Sequence, residues 1–255
     1  MIDIHCHILP GVDDGPTQLA ESIAMAKAAV AEGIRLIIAT PHHDDGHYDN
    51  PRQTILNKVN ALNDVLRAEA IGLDIVPGQE VRITGDLLHN YDVGKVLSLV
   101  DGRQYIMIEL PSNHVPAYTK RLLYDIQMDG LLPIIVHPER NLELVSSPHL
   151  LYEFVKSGAL TQITAGSVCG LFGKKIKKFS LQLIEANLTH YVASDAHNLT
   201  NRKFHMIQAF DEIEKNFGVD MVYGFMDNAE LLIQGDLAYK EIPQQIESKK
   251  FLGLF

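Results

Sequence analysis

Arg35-Leu36-Ile37-Ile38-Ala39-Thr40-Pro41-His42-His43 is the stretch that decides the fold. The run RLIIA is almost wholly apolar, the habit of a short strand buried on both faces in a parallel sheet. It ends against Pro41, and two imidazoles follow at once. The same grammar recurs on either side. Met1–Ile4, Asp74–Pro77, Tyr105–Ile108, Leu132–Val136, Leu160–Ile163 and His190–Ala193 also read as strands. Amphipathic segments separate them, and periodicity predicts helices over Pro16–Glu32, Pro51–Ala70, Tyr118–Asp129, Pro148–Ser157, Lys175–Ala186 and Arg202–Phe217, with shorter helices to about Gly235. Pro16 suits a helix start and Gly33 a stop. Strands alternating with helices mark the α/β class. Seven such units point to a distorted (β/α)7 TIM-like barrel, as a single domain over residues 1–255. An open doubly wound sheet is the alternative.

Composition narrows the function. A length of 255 residues permits a well-buried core, and 46% hydrophobic with 21% charged content is ordinary for a globular enzyme. No apolar run approaches the roughly 18 residues that span a bilayer. The start, Met1-Ile2-Asp3-Ile4-His5, has neither a basic segment nor an apolar signal region, so a cytoplasmic location is expected. Cys6 and Cys169 make no disulfide framework and fit a reducing compartment. A net charge of −10 argues against a nucleic-acid or anionic-membrane surface. It does not exclude a phosphorylated substrate, because bound cations reverse the sign of the potential inside one pocket.

The chemistry sits just beyond the strands. The first ends in His5-Cys6-His7, the second in Thr40-Pro41-His42-His43, and the third runs into Gly78-Gln79-Glu80. The fourth ends at Glu109, the fifth in His137-Pro138-Glu139-Arg140, and the seventh in Ser194-Asp195-Ala196-His197. In a parallel barrel all strand C-termini share one face, so these side chains converge although the chain scatters them. Imidazoles mixed with carboxylates suit Zn²⁺, Mn²⁺ or Fe²⁺ in an open catalytic site. Residues i and i+2 of a strand point the same way, which lets His5 pair with His7, and Asp195 with His197. His5, His7, His42, Glu80, Glu109, His137, Asp195 and His197 are too many ligands for one ion, so two or three metals are expected. Paired metals suit in-line displacement at phosphorus. Asp13 and Asp14 are further candidates, one as a ligand; the alternative is that they cap the following helix.

These residues resemble the polymerase and histidinol phosphatase (PHP) family. Asp3-Ile4-His5-Cys6-His7, Pro41-His42, Glu80, His137-Pro138-Glu139-Arg140 and Ser194-Asp195-Ala196-His197-Asn198 carry the likeness. The run from His5 through Leu9-Pro10-Gly11-Val12-Asp13-Asp14-Gly15 to Pro16, with Arg202 following Asn198, is similar to its bacterial tyrosine-phosphatase branch, the CpsB/YwqE type of capsule and exopolysaccharide systems. The resemblance covers essentially the whole chain. It implies the PHP fold, a seven-stranded distorted barrel with a trinuclear, usually manganese-dependent site at the strand C-terminal face. Carried over, His5, His7, Asp14, His42, Glu80, Glu109, His137, Asp195 and His197 hold the metals, with Asp14 preferred to Asp13. Arg140 and Arg202 bind phosphate. The implied activity is hydrolysis of phosphotyrosine by a metal-activated hydroxide. The implied partner is a bacterial tyrosine kinase that controls polysaccharide assembly. The alternative is a histidinol-phosphatase-like enzyme acting on a small phosphoester.

A thiol-based phosphatase is excluded, since Cys-x5-Arg is absent: Val12 stands six beyond Cys6, and Lys175 six beyond Cys169. An amidohydrolase shares the strand-one His-x-His but not the arginine pair. A docking module with a degenerate site is disfavoured by the nearly complete ligand set. Arginine's planar fork suits phosphate, whereas surface ion pairing is the plainer reading of Arg140, and a helix start that of Arg202. His43 and His205 are candidate proton donors. The run Lys174-Lys175-Ile176-Lys177-Lys178 reads as a solvated helix face, or as a surface that attracts an acidic tail. Phe172 and Tyr118 are candidates to stack on a phosphotyrosine ring. The apolar face of Ala20–Val30 reads as core, with an oligomer contact left open.

Overall fold

The computed structural model describes residues 1–102 and 104–246. The single-domain expectation over 1–255 therefore runs past the described residues at its C-terminal end. The strands are β1 (Ile2–Cys6), β2 (Leu36–Ala39), β3 (His42–His43), β4 (Asp74–Pro77), β5 (Glu80–Arg82), β6 (Tyr105–Glu109), β7 (Leu132–Val136), β8 (Leu160–Thr164) and β9 (Tyr191–Ala193). The helices are α1 (Leu19–Ala31), α2 (Arg52–Ala68), α3 (Leu87–Asp92), α4 (Thr119–Met128), α5 (Leu142–Ser146), α6 (His149–Lys156), α7 (Ala165–Cys169), α8 (Lys174–Glu185), α9 (Met206–Phe217) and α10 (Val219–Gln234).

Hydrogen bonds run β1-β2-β4 in one sheet and β3-β5-β6-β7-β8-β9 in the other, and every pairing is parallel. β3 resumes the course of β2, and β5 that of β4, so the two sheets form one wall interrupted at a common level. Pro41 lacks a ladder donor at this break. At Gly78 a Cβ would lie 2.5 Å from Ile38 Cγ2 and 2.9 Å from Leu99 Cδ2, so only glycine fits. The strand order never reverses, and a bridge from Cys6 to Ala196 joins β1 to the turn after β9. This is the distorted seven-stave barrel. The doubly wound alternative is overturned, because that fold needs a reversal of strand order.

Ile4, Ile38, Tyr105, Met107, Ile134, Leu160 and Tyr191 pack together inside the barrel. Leu232 of α10 packs with them, and the Tyr105 hydroxyl donates to the Asp236 carbonyl at 2.6 Å. A second, larger cluster, including Met25, Leu62, Ile126, Leu183 and Ile213, lies between wall and helices. Met25, Ala26 and Ala29 of α1 belong to it, while Leu19 and Val30 stay exposed.

Several boundaries differ from the sequence expectations. β1 runs two residues further than expected, through Cys6. α1 begins at Leu19 instead of Pro16, because Glu21 accepts from the Thr17 and Gln18 N–H groups and caps it there. α9 begins at Met206, where Glu32 accepts from the Met206 N–H at 2.8 Å, so Arg202 lies in the preceding loop and is not a helix start. One helix of 16 residues, α10, stands where shorter ones were expected.

Asp3 secures the closure. Its carboxylate accepts from the Ser194 hydroxyl at 2.5 Å and the Ser194 N–H at 2.9 Å. Burial, only partly offset by these bonds, pushes its pKa up to about 6. A folded-state pKa above the unfolded one gives stability that is full only below the ordinary value of 3.8 and is lost as pH rises through 6. Asp3→Asn has no such dependence. With chelator present, it should gain on the parent by up to about 3 kcal/mol between pH 4 and 7.5, read from urea midpoints. A constant difference across that range would sink the assignment.

Candidate active site

Strict alternation would put His5 on the face opposite Ile2 and Ile4. The β1–β2 register is irregular between Asp3 and Cys6, and such a bulge re-aims side chains. His5 Nε2 and His7 Nε2 come within 3.3 Å of each other, while Cys6 joins the outer core. Glu80, fully buried at the start of β5, is the hub. Its Oε1 lies 2.7 Å from His137 Nε2; its Oε2 lies 3.1 Å from His42 Nδ1, 3.2 Å from His7 Nε2 and 3.3 Å from His5 Nε2. Asp195 Oδ1 approaches His7 Nε2 at 3.4 Å and His5 Nε2 at 3.5 Å. On the open side, Asp14 Oδ1 is 3.1 Å from His197 Nε2 and 3.5 Å from His42 Nε2. Glu109 Oε2 is 3.7 Å from His42 Nδ1.

All nine expected ligand residues thus meet in one cup at the C-terminal ends of the strands. Three overlapping groups have ligand atoms close enough to share an ion: His7, Asp14, His42 and His197; His5, His7 and Glu80; and His42, Glu80 and Glu109. Asp13 stands behind the cup and not in it. It accepts from His7 Nδ1 at 2.7 Å and from the His42 N–H at 3.2 Å. Gln162 of β8, which the sequence reading missed, accepts from His5 Nδ1 at 2.9 Å. Both bonds leave the Nε2 lone pair facing the cup, the usual way an outer partner orients a ligating histidine. Arg82, also missed, holds Glu109 Oε2 at 2.9 Å. His137 and Asp195 have φ of +33° and +52°, a strained backbone that recurs at functional sites.

Both expected arginines reach the cup. Arg140 Nη1 donates to Asp195 Oδ2, and Arg202 Nη2 donates to both Asp195 oxygens at 3.0 and 2.9 Å. Arg202 Nη1 also lies 3.3 Å from Asp14 Oδ2. Arg140 is therefore not a surface partner of Glu139, whose buried carboxylate turns to the Thr164 N–H instead. His43 Nδ1 accepts from the Asn50 N–H, so its ring serves the loop. The structure gives His205 no side-chain partner in the cup; it precedes α9, and its N–H donates to Glu32.

Buried polar atoms are nearly always hydrogen-bonded. Here His42 Nδ1, Glu80 Oε2 and His197 Nε2 are buried without such a partner, and all three face the cup. Unsatisfied imidazole nitrogens beside an unsatisfied carboxylate oxygen are a donor set for divalent cations, so the residues fit metal ions.

Protonation supports the same arrangement. Burial and the neighbouring His7 hold His197 down to about 4, and burial with the Arg140 charge holds His137 down to about 4. Both rings are neutral, the form that ligates. Burial opposes charge on His5 and His7, but Glu80 and Asp195 hold His5 above its ordinary range, and Asp13 holds His7 well above it. Cations must displace those protons, so binding tightens with pH. Burial and the Glu80 charge push Glu109 up to about 8, against the pull of Arg82.

The CpsB/CapC family, described as capsular polysaccharide synthesis, matches residues 1–234. The chain belongs to that family. This CpsB/CapC member is 49% identical to the tyrosine-protein phosphatase YwqE of Bacillus subtilis over 255 residues, covering all of both chains. It is 33% identical to the tyrosine-protein phosphatase CpsB of Streptococcus pneumoniae, covering 93% of this chain and 100% of that one. A crystal structure from work on YwqE and CpsB as unique metal-dependent tyrosine phosphatases superposes with a TM-score of 0.95, at 49% identity, covering 97% of this chain and 100% of that chain. The phosphotriesterase homology protein of Escherichia coli shares the fold alone, with a TM-score of 0.53 at 12% identity, over 87% of this chain and 93% of that one. The CpsB/CapC member has, among its described residues, no helix long and apolar enough to cross a membrane.

Proposed function

We propose that this chain is a metal-dependent protein-tyrosine phosphatase that acts in the cytoplasm, as one domain. Its substrate is the phosphotyrosine-bearing tail of a bacterial tyrosine kinase serving capsule or exopolysaccharide synthesis. The observation that supports this reading is the meeting of nine imidazole and carboxylate side chains with two guanidinium groups in one cup.

His5, His7, Asp14, His42, Glu80, Glu109, His137, Asp195 and His197 would hold two or three divalent ions, manganese first, with iron or zinc as alternatives. Such ions supply Lewis-acid chemistry, polarising phosphoryl oxygens and acidifying water. The protein's own groups do the rest. Asp13 and Gln162 keep His7 and His5 in the tautomer that offers Nε2. Arg140 and Arg202 bind phosphoryl oxygens through charge-assisted bonds, their forks already aimed into the cup. The departing tyrosyl oxygen needs little protonation, since a phenol's pKa is about 10.

A thiol has no part. Cys6 is buried, with its pKa raised by burial, and burial pushes Cys169 up to about 11. Turnover of a phosphotyrosyl peptide should vanish on chelation, return with Mn²⁺ and survive thiol alkylation. Loss on alkylation alone would overturn the reading. Faster turnover of histidinol phosphate than of the peptide, at equal metal, would favour the small-molecule alternative.

A further inference from the structure

Phe172 stands at the lip of the cup. It belongs to the turn Gly170-Leu171-Phe172-Gly173 between α7 and α8. Gly170 and Gly173 have φ of +89° and +97°, a conformation glycine adopts without strain. The Leu171 N–H donates to the Gly166 carbonyl at 2.9 Å, and the Gly173 N–H to that of Gly170 at 3.0 Å. A Cβ on Gly166 would lie 3.3 Å from both Leu171 Cδ1 and Phe172 Cε2, so the bare backbone of α7 is what lets the turn settle on it. The aromatic ring is thus fixed in place. Its centroid is 5.1 Å from Arg140 Cζ, yet 36% of the residue remains exposed. Tyr118, the other exposed aromatic singled out in the sequence, is engaged elsewhere, with its hydroxyl donating to the Ile83 carbonyl.

We propose that Phe172 is a specificity-determining residue that reads the aryl group of the substrate, an inference that rests on the tyrosine-phosphatase reading. A phosphoryl group held by Arg140 brings the ester's alcohol portion beside Phe172. A tyrosyl ring there meets the open part of the phenyl ring in an offset or edge-to-face pair. A seryl or other alkyl ester offers no such surface. Aromatic pairs of this kind correspond to about two- to twelvefold in binding.

The test compares phenylphosphonate with methylphosphonate as competitive inhibitors of the manganese-loaded enzyme, alongside KM for a phosphotyrosyl peptide. The parent should bind phenylphosphonate more tightly. Phe172→Ala, and Phe172→Leu, which keeps the bulk and removes the ring, should each shrink the ratio of the two inhibition constants about two- to twelvefold. KM for the peptide should rise by a similar factor, and Phe172→Trp should retain both. If both phosphonates weaken together, Phe172 merely steadies Arg140 and the assignment fails. It also fails if the ratio is unmoved while the parent still hydrolyses the phosphotyrosyl peptide. A parent that cannot hydrolyse that peptide overturns the tyrosine-phosphatase reading, and the assignment with it.

Discussion

Glu80→Gln should lower turnover by roughly a thousandfold or more, beyond the ten- to hundredfold cost of losing a ligand's outer partner. It should also deplete the bound metal. The glutamate is fully buried, and four imidazole nitrogens lie within 3.3 Å of its oxygens. Glutamine keeps the volume but removes the anion and turns an NH₂ group toward nitrogens that must offer lone pairs. Two of the three ligand groups lose their carboxylate hub in one step, because Glu80 serves both. Metal content per chain and kcat, measured on the same preparation, check this. A variant with full metal and near-parental turnover would remove Glu80 from the centre. Circular dichroism under chelation separates that result from misfolding.

The second large effect belongs to the arginines. Arg140→Ala and Arg202→Ala should each cost about 10² to 10³ in kcat/KM, the scale of losing one preorganised donor to a developing charge. Metal content should hold. Both guanidinium groups rest on Asp195, so removing one leaves that carboxylate freer to ligate. Activity falling while metal stays is the signature of a phosphate-binding role. Lysine at either position should rescue poorly, since a point charge does not reproduce the fork. Loss of metal in step with activity would mean that the arginines only shape the ligands. The double variant should fall short of the product of the singles, because the two share a partner.

Most of this was legible in the chain. Leu36–Ala39 and Leu132–Val136 are unmistakable as runs, and ligand types beyond them needed only the rule that parallel strands end on one face. β3 and β5 were not legible, because two or three residues carry no period. The start of α9 was placed too early, since the Glu32 carboxylate that caps it comes from 174 residues away. Gln162 looked like an ordinary strand polar residue; its partner, His5, is 157 positions distant, and only barrel closure sets them side by side. Asp13 and Asp14 could not be separated by spacing, because a turn in the loop sends one behind His7 and the other toward His197.

The join between β1 and the end of β9 has no strand ladder: it rests on two backbone bonds, His7 N–H to the Ala196 carbonyl and Asp195 N–H to the His5 carbonyl, each 2.9 Å, and on the contacts of Ser194 with Asp3 and the His5 carbonyl. His5 and His7 hang from one side of that join, Asp195 and His197 from the other. Ions gripping both pairs would act as a buckle between the first and the last strand. Loss of cations would then loosen the architecture as well as the chemistry, so the supply of divalent cations would set how long the molecule lasts as well as how fast it works.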